Sequence, residues 1–319
     1  MRLIYDKNVL KYNLLEDKFE GSYRLKGIEN EGRLIQLDFN VEKDILGVHT
    51  PRHLQKIKGH CKSKMPLAEI KVDSATLNAI YSSVRLAIYA SDNEDLAMTR
   101  PPGHHSTKEG AKGFCFVNNI SIASQRLLSR GKKICVIDID GHHGDGTEQI
   151  FYNRNRLLFC SVYQEGGYPS NKGDLTHIGS GLGKGYNLSL PIPKGSGDDI
   201  LLDALNFFKK YIHTFKPDMI GISAGFDGYI KDRLLNLKYT LNGYRQFGKN
   251  LREFGCPVFG VLEGGYHNEV VLCAKTLVDG INGSKFRAGD LSSSSDEVHS
   301  KFRENINRLE GELDDYRIL

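Results

Sequence analysis

The stretch Asp138-Ile139-Asp140-Gly141-His142-His143-Gly144-Asp145-Gly146 sets aspartates and histidines side by side directly after an apolar run. Side chains alternate along a strand, so a strand continued through this stretch puts Asp138, Asp140 and His142 on one face. Asp140 and His142 then stand about 7 Å apart at Cα, from a rise of ~3.3 Å per residue. Side chains converging from that spacing can grip one cation of borderline hardness. As polar residues of an ordinary turn they would be costly to bury unless paired or metal-bound.

Three other segments offer groups of the same kind. Ser223-Ala224-Gly225-Phe226-Asp227 ends on a lone carboxylate, which by itself reads as a helix cap as readily as a ligand. Glu263-Gly264-Gly265-Tyr266-His267 carries glycines that let backbone approach a substrate closely, and Tyr266, which alone reads as a packed aromatic. Arg100-Pro101-Pro102-Gly103-His104-His105 supplies a second histidine pair. Brought to one place, two aspartates and one histidine leave open positions on zinc, as a catalytic site requires. Zinc would polarise a carbonyl and activate water, and a nearby histidine would take the water's proton. Adjacent carboxylates would hold that histidine in one tautomer, and a tyrosine hydroxyl would stabilise the tetrahedral oxyanion. Such an assembly hydrolyses amides.

The elements that must position these groups are legible around them. Lys133–Asp140, Arg156–Val162, Met219–Ala224 and Pro257–Leu262 read as near-continuous apolar strands, and Leu96-Ala97-Met98-Thr99 as a further short one. Such runs suit a parallel sheet covered on both faces. Between them, Val117–Ser129 and Asp198–Thr214 have the apolar spacing of helices. Strand alternating with helix predicts an α/β fold, and open α/β sheets bind ligands at the carboxyl ends of their strands. The four polar segments follow such ends. Past Ser292-Ser293-Ser294-Ser295, the residues Val298, Phe302, Ile306, Leu309, Leu313 and Tyr316 recur three or four apart, which predicts an amphipathic helix docked on the same domain.

Composition excludes several other classes. The chain has 319 residues, 39% hydrophobic and 26% charged, with Lys plus Arg at 43 against Asp plus Glu at 39, a formal charge of +4. Mean hydropathy is −0.38, and no apolar run approaches the ~18 residues of a membrane helix. Met1-Arg2-Leu3-Ile4-Tyr5-Asp6-Lys7 lacks the apolar core of a signal peptide. No basic stripe interleaved with aromatics points to nucleic acid. Six cysteines lie scattered without a C-x-x-C pair, as reduced thiols of a cytoplasmic protein do. Gly179-Ser180-Gly181-Leu182-Gly183-Lys184-Gly185 fits neither nucleotide-binding glycine pattern and reads as a loop before a strand.

Taken together, Val48-His49-Thr50, Arg100–His105, Gly113-Phe114-Cys115-Phe116-Val117-Asn118, Asp138–Gly146, Ser223–Asp227 and Glu263–Tyr266 resemble, in the same order along the chain, the zinc-dependent histone deacetylase family. That family includes bacterial deacetylase-like proteins and acetylpolyamine amidohydrolases. The resemblance implies an arginase/deacetylase-like α/β fold, a parallel sheet of about eight strands flanked by helices on both faces. It implies Asp140, His142 and Asp227 as zinc ligands, His105 as the proton-transferring histidine and His104 as its electrostatic partner. Asp145 and Asp138 match the carboxylates that orient these two, and Tyr266 the oxyanion-binding tyrosine. Gly113, Phe114, Tyr168, Leu234 and Gly265 match the substrate pocket, with tyrosine at 168 where phenylalanine is usual. Potassium beside the zinc is implied at Asp138, Ser161 and the carbonyls of Asp140, His142 and Val162.

Two departures stand out. Gly21 in Phe19-Glu20-Gly21-Ser22-Tyr23-Arg24-Leu25 occupies the place of a usual arginine, which implies a different route for acetate release. Arg233-Leu234 follows Asp227 where many relatives have proline and then a pocket residue. The implied activity is hydrolysis of acetyl-lysine in proteins or peptides, with acetylpolyamines and longer acyl chains as alternatives. The implied division is a catalytic domain over 1–285 and a serine-rich linker with a helix over 286–319. No oligomeric state is implied. Two rival readings are a binuclear arginase-like hydrolase and a silent acetyl-lysine-binding scaffold. Asp227-Gly228-Tyr229 lacks the second aspartate of the first, and intact His104, His105 and Tyr266 argue against the second.

Overall fold

Isoleucine, valine and cysteine fill Ile134–Asp138, and every residue of that segment is buried, as a strand with helices on both faces demands. A computed structural model describes residues 1–12, 19–170, 173–284 and 289–314. Its eight strands are β1 (Leu3–Tyr5), β2 (Arg33–Leu34), β3 (Leu96–Ala97), β4 (Ile134–Asp138), β5 (Leu157–Gln164), β6 (Asn187–Ile192), β7 (Met219–Ala224) and β8 (Val258–Leu262). They form one parallel sheet in the order β2-β1-β3-β8-β7-β4-β5-β6. The expected architecture is the observed one.

Helices Ser74–Asn93, Asn119–Ser129, Asp198–Phe215, Leu241–Leu251 and Val270–Asn282 carry the flanking layers. Their starts follow from sequence. Asp73 accepts from the Thr76 amide while Thr76 accepts from the Asp73 amide, a reciprocal cap that satisfies two otherwise orphaned donors. Asn118 caps the helix Asn119–Ser129 through Ser121 and reaches back to the Ser106 carbonyl, so one residue fixes both a helix and the histidine-bearing loop.

The two sheet edges are protected differently. β2 is only a two-residue strand. At the other edge, β6 contains Pro191, a residue that sheets admit at edges, and Asn305 donates to its carbonyl at 2.9 Å. Asn305 belongs to the helix Asp296–Asp314, whose Val298, Phe302, Leu309 and Leu313 are buried. Tyr316 lies outside the described residues. No helix among the described residues is long and apolar enough to cross a membrane.

Candidate active site

β4 ends at Asp138, two residues earlier than the sequence pattern suggests, so strand alternation does not carry through to His142. Asp140 and His142 instead stand in the loop that follows. Backbone bonds fold this loop tightly: the Asp140 amide donates to Asp138 Oδ1 at 3.1 Å and the His142 amide to Asp140 Oδ1 at 2.9 Å. The Gly141 amide donates to Asp227 Oδ1 at 2.6 Å, which joins this loop to the end of the neighbouring β7. Asp227 caps none of the described helices and faces this loop instead.

Asp140, His142 and Asp227 each offer a ligand atom within 4.8 Å of the others. His142 Nδ1 lies 2.6 Å from Asp227 Oδ2 and 3.2 Å from Asp140 Oδ1. Burial together with the charge of Asp140 pushes the Asp227 carboxyl up to about 7. Burial opposes the charged form of His142, but Asp227 and Asp140 outweigh it and raise the ring to about 10. Two carboxylates and an imidazole converging on one point are a fitting donor set for a zinc-like divalent cation. Gly264 makes the convergence sterically feasible, since a Cβ there would lie 2.5 Å from Asp227 Oδ2 and 2.6 Å from Asp140 Oδ2.

The two expected histidine pairs are both present. His104 Nδ1 is 3.1 Å from Asp138 Oδ2, and His105 Nδ1 is 3.0 Å from Asp145 Oδ1, with ring centroids 4.0 Å apart. Their protonation diverges. Burial disfavours the cation at His104, yet Asp140 and Asp138 raise its pKa well above the ordinary value. Burial and the neighbouring His104 bring His105 down to about 3, which leaves it a neutral acceptor.

Tyr266 and Phe114 meet edge to face with centroids 5.9 Å apart, and Tyr168 stands edge-on to His105 at 4.9 Å. Gly113 lies between these walls; a Cβ there would meet the His105 ring at 2.6 Å and Tyr168 at 2.9 Å. Burial holds the Tyr266 hydroxyl well above its ordinary pKa, so it remains a donor. Ser161 pairs in register with Asp138, with Val162 next in β5.

The Gly265 carbonyl accepts the Arg24 Nε–H at 2.6 Å. Leu234 is 36% exposed, and Leu235 is partly buried, its Cδ1 2.2 Å from where a Gly141 Cβ would stand.

Other contributors were not assigned from sequence. Arg24 is fully buried beneath Tyr266, 4.9 Å from the ring centroid, and also binds the Glu263 carbonyl and Glu20. Glu263 Oε2 accepts the amides of Gly103 and His104 at 2.7 and 3.0 Å, anchoring the histidine loop. Asp232 holds the Tyr266 amide, and Lys112 pairs with Asp145. The contacts of Arg24 with Tyr266 and Glu263, of Glu263 with the histidine loop, of Asp232 with Tyr266 and of Lys112 with Asp145 each span more than 30 positions of sequence.

Residues 19–280 match the family model described as the histone deacetylase domain. The chain belongs to the histone deacetylase family. A protein of Archaeoglobus fulgidus named probable deacetylase is 34% identical over 78% of this chain and 74% of its own. The acetylpolyamine amidohydrolase of Mycoplana ramosa is 31% identical over 85% of this chain and 80% of its own. Among solved structures, the HD domain of HDA15 superposes with a TM-score of 0.87 over 98% of this chain and 95% of that one, at 23% identity, a likeness of fold. Acetylpolyamine aminohydrolase from Burkholderia pseudomallei gives 0.77 over 88% of this chain and 99% of that one, at 26% identity. Membership in this deacetylase family agrees with a site composed of paired acids, histidines and one tyrosine.

Proposed function

We propose that this protein is a zinc-dependent deacetylase that hydrolyses the amide of acetyl-lysine in proteins or peptides. The observation that carries the reading is the cluster of Asp140, His142 and Asp227 within 4.8 Å, flanked by the His104–Asp138 and His105–Asp145 pairs. A zinc ion held by the three clustered residues would supply Lewis acidity toward the amide carbonyl and the attacking water. His105 accepts the water's proton at Nε2 while Asp145 fixes its Nδ1–H. His104, kept charged by Asp138 and Asp140, stabilises negative charge developing beside it and can return a proton to the leaving amine. Tyr266 donates its hydroxyl to the carbonyl oxygen as charge builds there. Phe114 and Tyr168 confine the acyl-amine stem, with Gly113 between them and the rim formed by Leu234 and the Gly265 loop.

Potassium belongs to the same reading: Asp138 and Ser161, paired in register, with the carbonyls of Asp140, His142 and Val162, would hold it beside the zinc. So do a cytoplasmic location, supported by six free cysteines, and a catalytic domain ending near residue 285.

Acetylpolyamine hydrolysis is the second reading, favoured by relatives of that name in Pseudomonas aeruginosa and Burkholderia pseudomallei at 34% and 33% identity. A kinetic panel on purified zinc-loaded protein separates them, using acetyl-lysine peptides, acetylpolyamines and longer acyl-lysines. The first reading expects the highest kcat/KM on acetyl-lysine peptides. Preference for acetylated polyamines overturns it in favour of the second, and hydrolysis of none overturns both.

A further inference from the structure

The carboxylate of Asp145 has two oxygens and two different partners. Oδ1 meets His105 Nδ1 at 3.0 Å, and Oδ2 meets the Lys112 ammonium. Among the described residues these are the ion pairs of Asp145. The Asp145 side chain is 4% exposed and that of Lys112 27%, so the acid is out of water and the cation reaches it from the rim.

Lys112 is held there by its own backbone. It exchanges bonds with Cys115, Lys112 N–H to the Cys115 carbonyl at 3.1 Å and the reverse at 2.9 Å. The two residues enclosed, Gly113 and Phe114, have φ of +56° and +63°, which is the signature of a tight type I′ turn. A phenylalanine in this region costs on the order of 1–3 kcal/mol and persists where its surroundings hold it. One turn therefore sets both the Phe114 wall and the Lys112 ammonium. The His105 ring faces His104 at 4.0 Å, Tyr168 at 4.9 Å and His142 at 6.2 Å.

We infer that Lys112 is a positioning residue: its ammonium clamps Asp145 Oδ2, so that Oδ1 fixes His105 as the Nδ1-protonated tautomer with Nε2 left as acceptor. An ionised carboxylate can only accept, so a neutral His105 facing it must donate its Nδ1–H. Burial opposes the charge on Asp145, but the bonds from His105 and Lys112 outweigh it and carry the carboxyl below its ordinary range. Without the ammonium, the buried charge loses one of its two compensating partners. A protonated Asp145 could then donate to Nδ1, which would leave the ring proton on Nε2 and remove the acceptor. The inference rests on the deacetylase reading for its kinetic test only, since the tautomer can be read without turnover.

The experiment uses the zinc-loaded protein with ¹⁵N-labelled histidine, comparing wild type, Lys112→Met, Lys112→Arg, Asp145→Asn and the double variant Lys112→Met/Asp145→Asn. Long-range ¹H–¹⁵N correlation, with the His105 signals assigned by their loss in His105→Ala, reports the tautomer. Wild type and Lys112→Arg should show Nδ1–H; Lys112→Met should show Nε2–H or a mixture. On the best acyl-amine substrate, Lys112→Met should lose roughly 10–100-fold in kcat with KM, zinc content and melting temperature near wild type. Lys112→Arg should restore most of the loss. In the Asp145→Asn background, Lys112→Met should cost nothing further, because the lysine acts through that carboxylate. An unchanged tautomer in Lys112→Met overturns the inference, as does a loss confined to KM or an additive double variant. Absence of turnover by wild type would overturn the function reading, and the tautomer would still decide this one.

Discussion

Asp232 ties Tyr266 to the segment that carries Leu234. The Tyr266 amide donates to Asp232 Oδ2 at 2.6 Å, and the other oxygen of the same carboxylate takes the Leu234 amide at 2.8 Å. The loops that carry Tyr266 and Leu234 thus share one nearly buried carboxylate. A bond to a charged acceptor contributes about 1.5–3 kcal/mol, enough to set where the ring stands. Asp232→Ala should lower kcat by roughly tenfold or more, at ~1.4 kcal/mol per decade, while zinc content stays at wild-type level. Metal loss in that variant would mean that Asp232 supports the ligand cluster instead.

Removing one ligand should empty the metal site without unfolding the chain. Asp227→Ala leaves the sheet's apolar core untouched, so melting of the metal-free protein should change little while bound zinc falls away. Full zinc retention by Asp227→Ala would sink the ligand assignment. Metal uptake should also release protons. His142, raised to about 10, is protonated at neutral pH in the ion-free site and must give up that proton to offer Nδ1. Apparent zinc affinity should therefore rise with pH, by about tenfold per unit above pH 7 and more steeply below it, where Asp227 (pushed to about 7) must also deprotonate. Calorimetric titration in buffers of differing ionisation enthalpy measures the proton count directly.

The two histidines should not be equivalent. His105 is neutral and aligned by Asp145, whereas His104 is held charged between Asp138 and Asp140. Loss of a general base costs roughly 10²–10⁴-fold, so His105→Ala should lose more turnover than His104→Ala. Equal, small losses would show that neither carries the proton.

Tyr266→Phe keeps the ring against Phe114 and Arg24 and deletes one hydroxyl. An oxyanion donor is worth roughly 10²–10³ in kcat, about 3–4 kcal/mol of transition-state stabilisation. Zinc content and melting temperature should barely move. Turnover like that of wild type would falsify the oxyanion role.

The last helix should matter for solubility more than for chemistry. Phe302, Leu309 and Leu313 are buried, and Asn305 covers the Pro191 carbonyl on the edge strand β6. Each such apolar side chain contributes about 1.5–3 kcal/mol on burial. Truncation after Leu291 should lower the melting temperature and promote association through the bared strand edge, visible by light scattering. Zinc binding should persist in the soluble fraction, since no ligand lies beyond Asp227.

The sequence by itself determined the layered α/β fold and the residue types of the site. Continuous apolar runs such as Ile134–Ile137 have only one economical place, a strand covered on both sides, and Asp140, His142, Asp227, His104, His105 and Tyr266 each follow such a run or stand in a glycine-rich loop. Local periodicity carries that much. It did not reveal where β4 stops, because the chain after Asp138 turns through bonds to Asp227, 89 positions further on. The close approach of Leu235 to Gly141 likewise depends on segments far apart in sequence. Lys112 on Asp145, Arg24 beneath Tyr266, Glu263 under the histidine loop and Asp232 behind the tyrosine were decided only in three dimensions. A charge buried among distant segments selects its partner by proximity and desolvation, and neither quantity is written in the spacing of residues along one strand or helix.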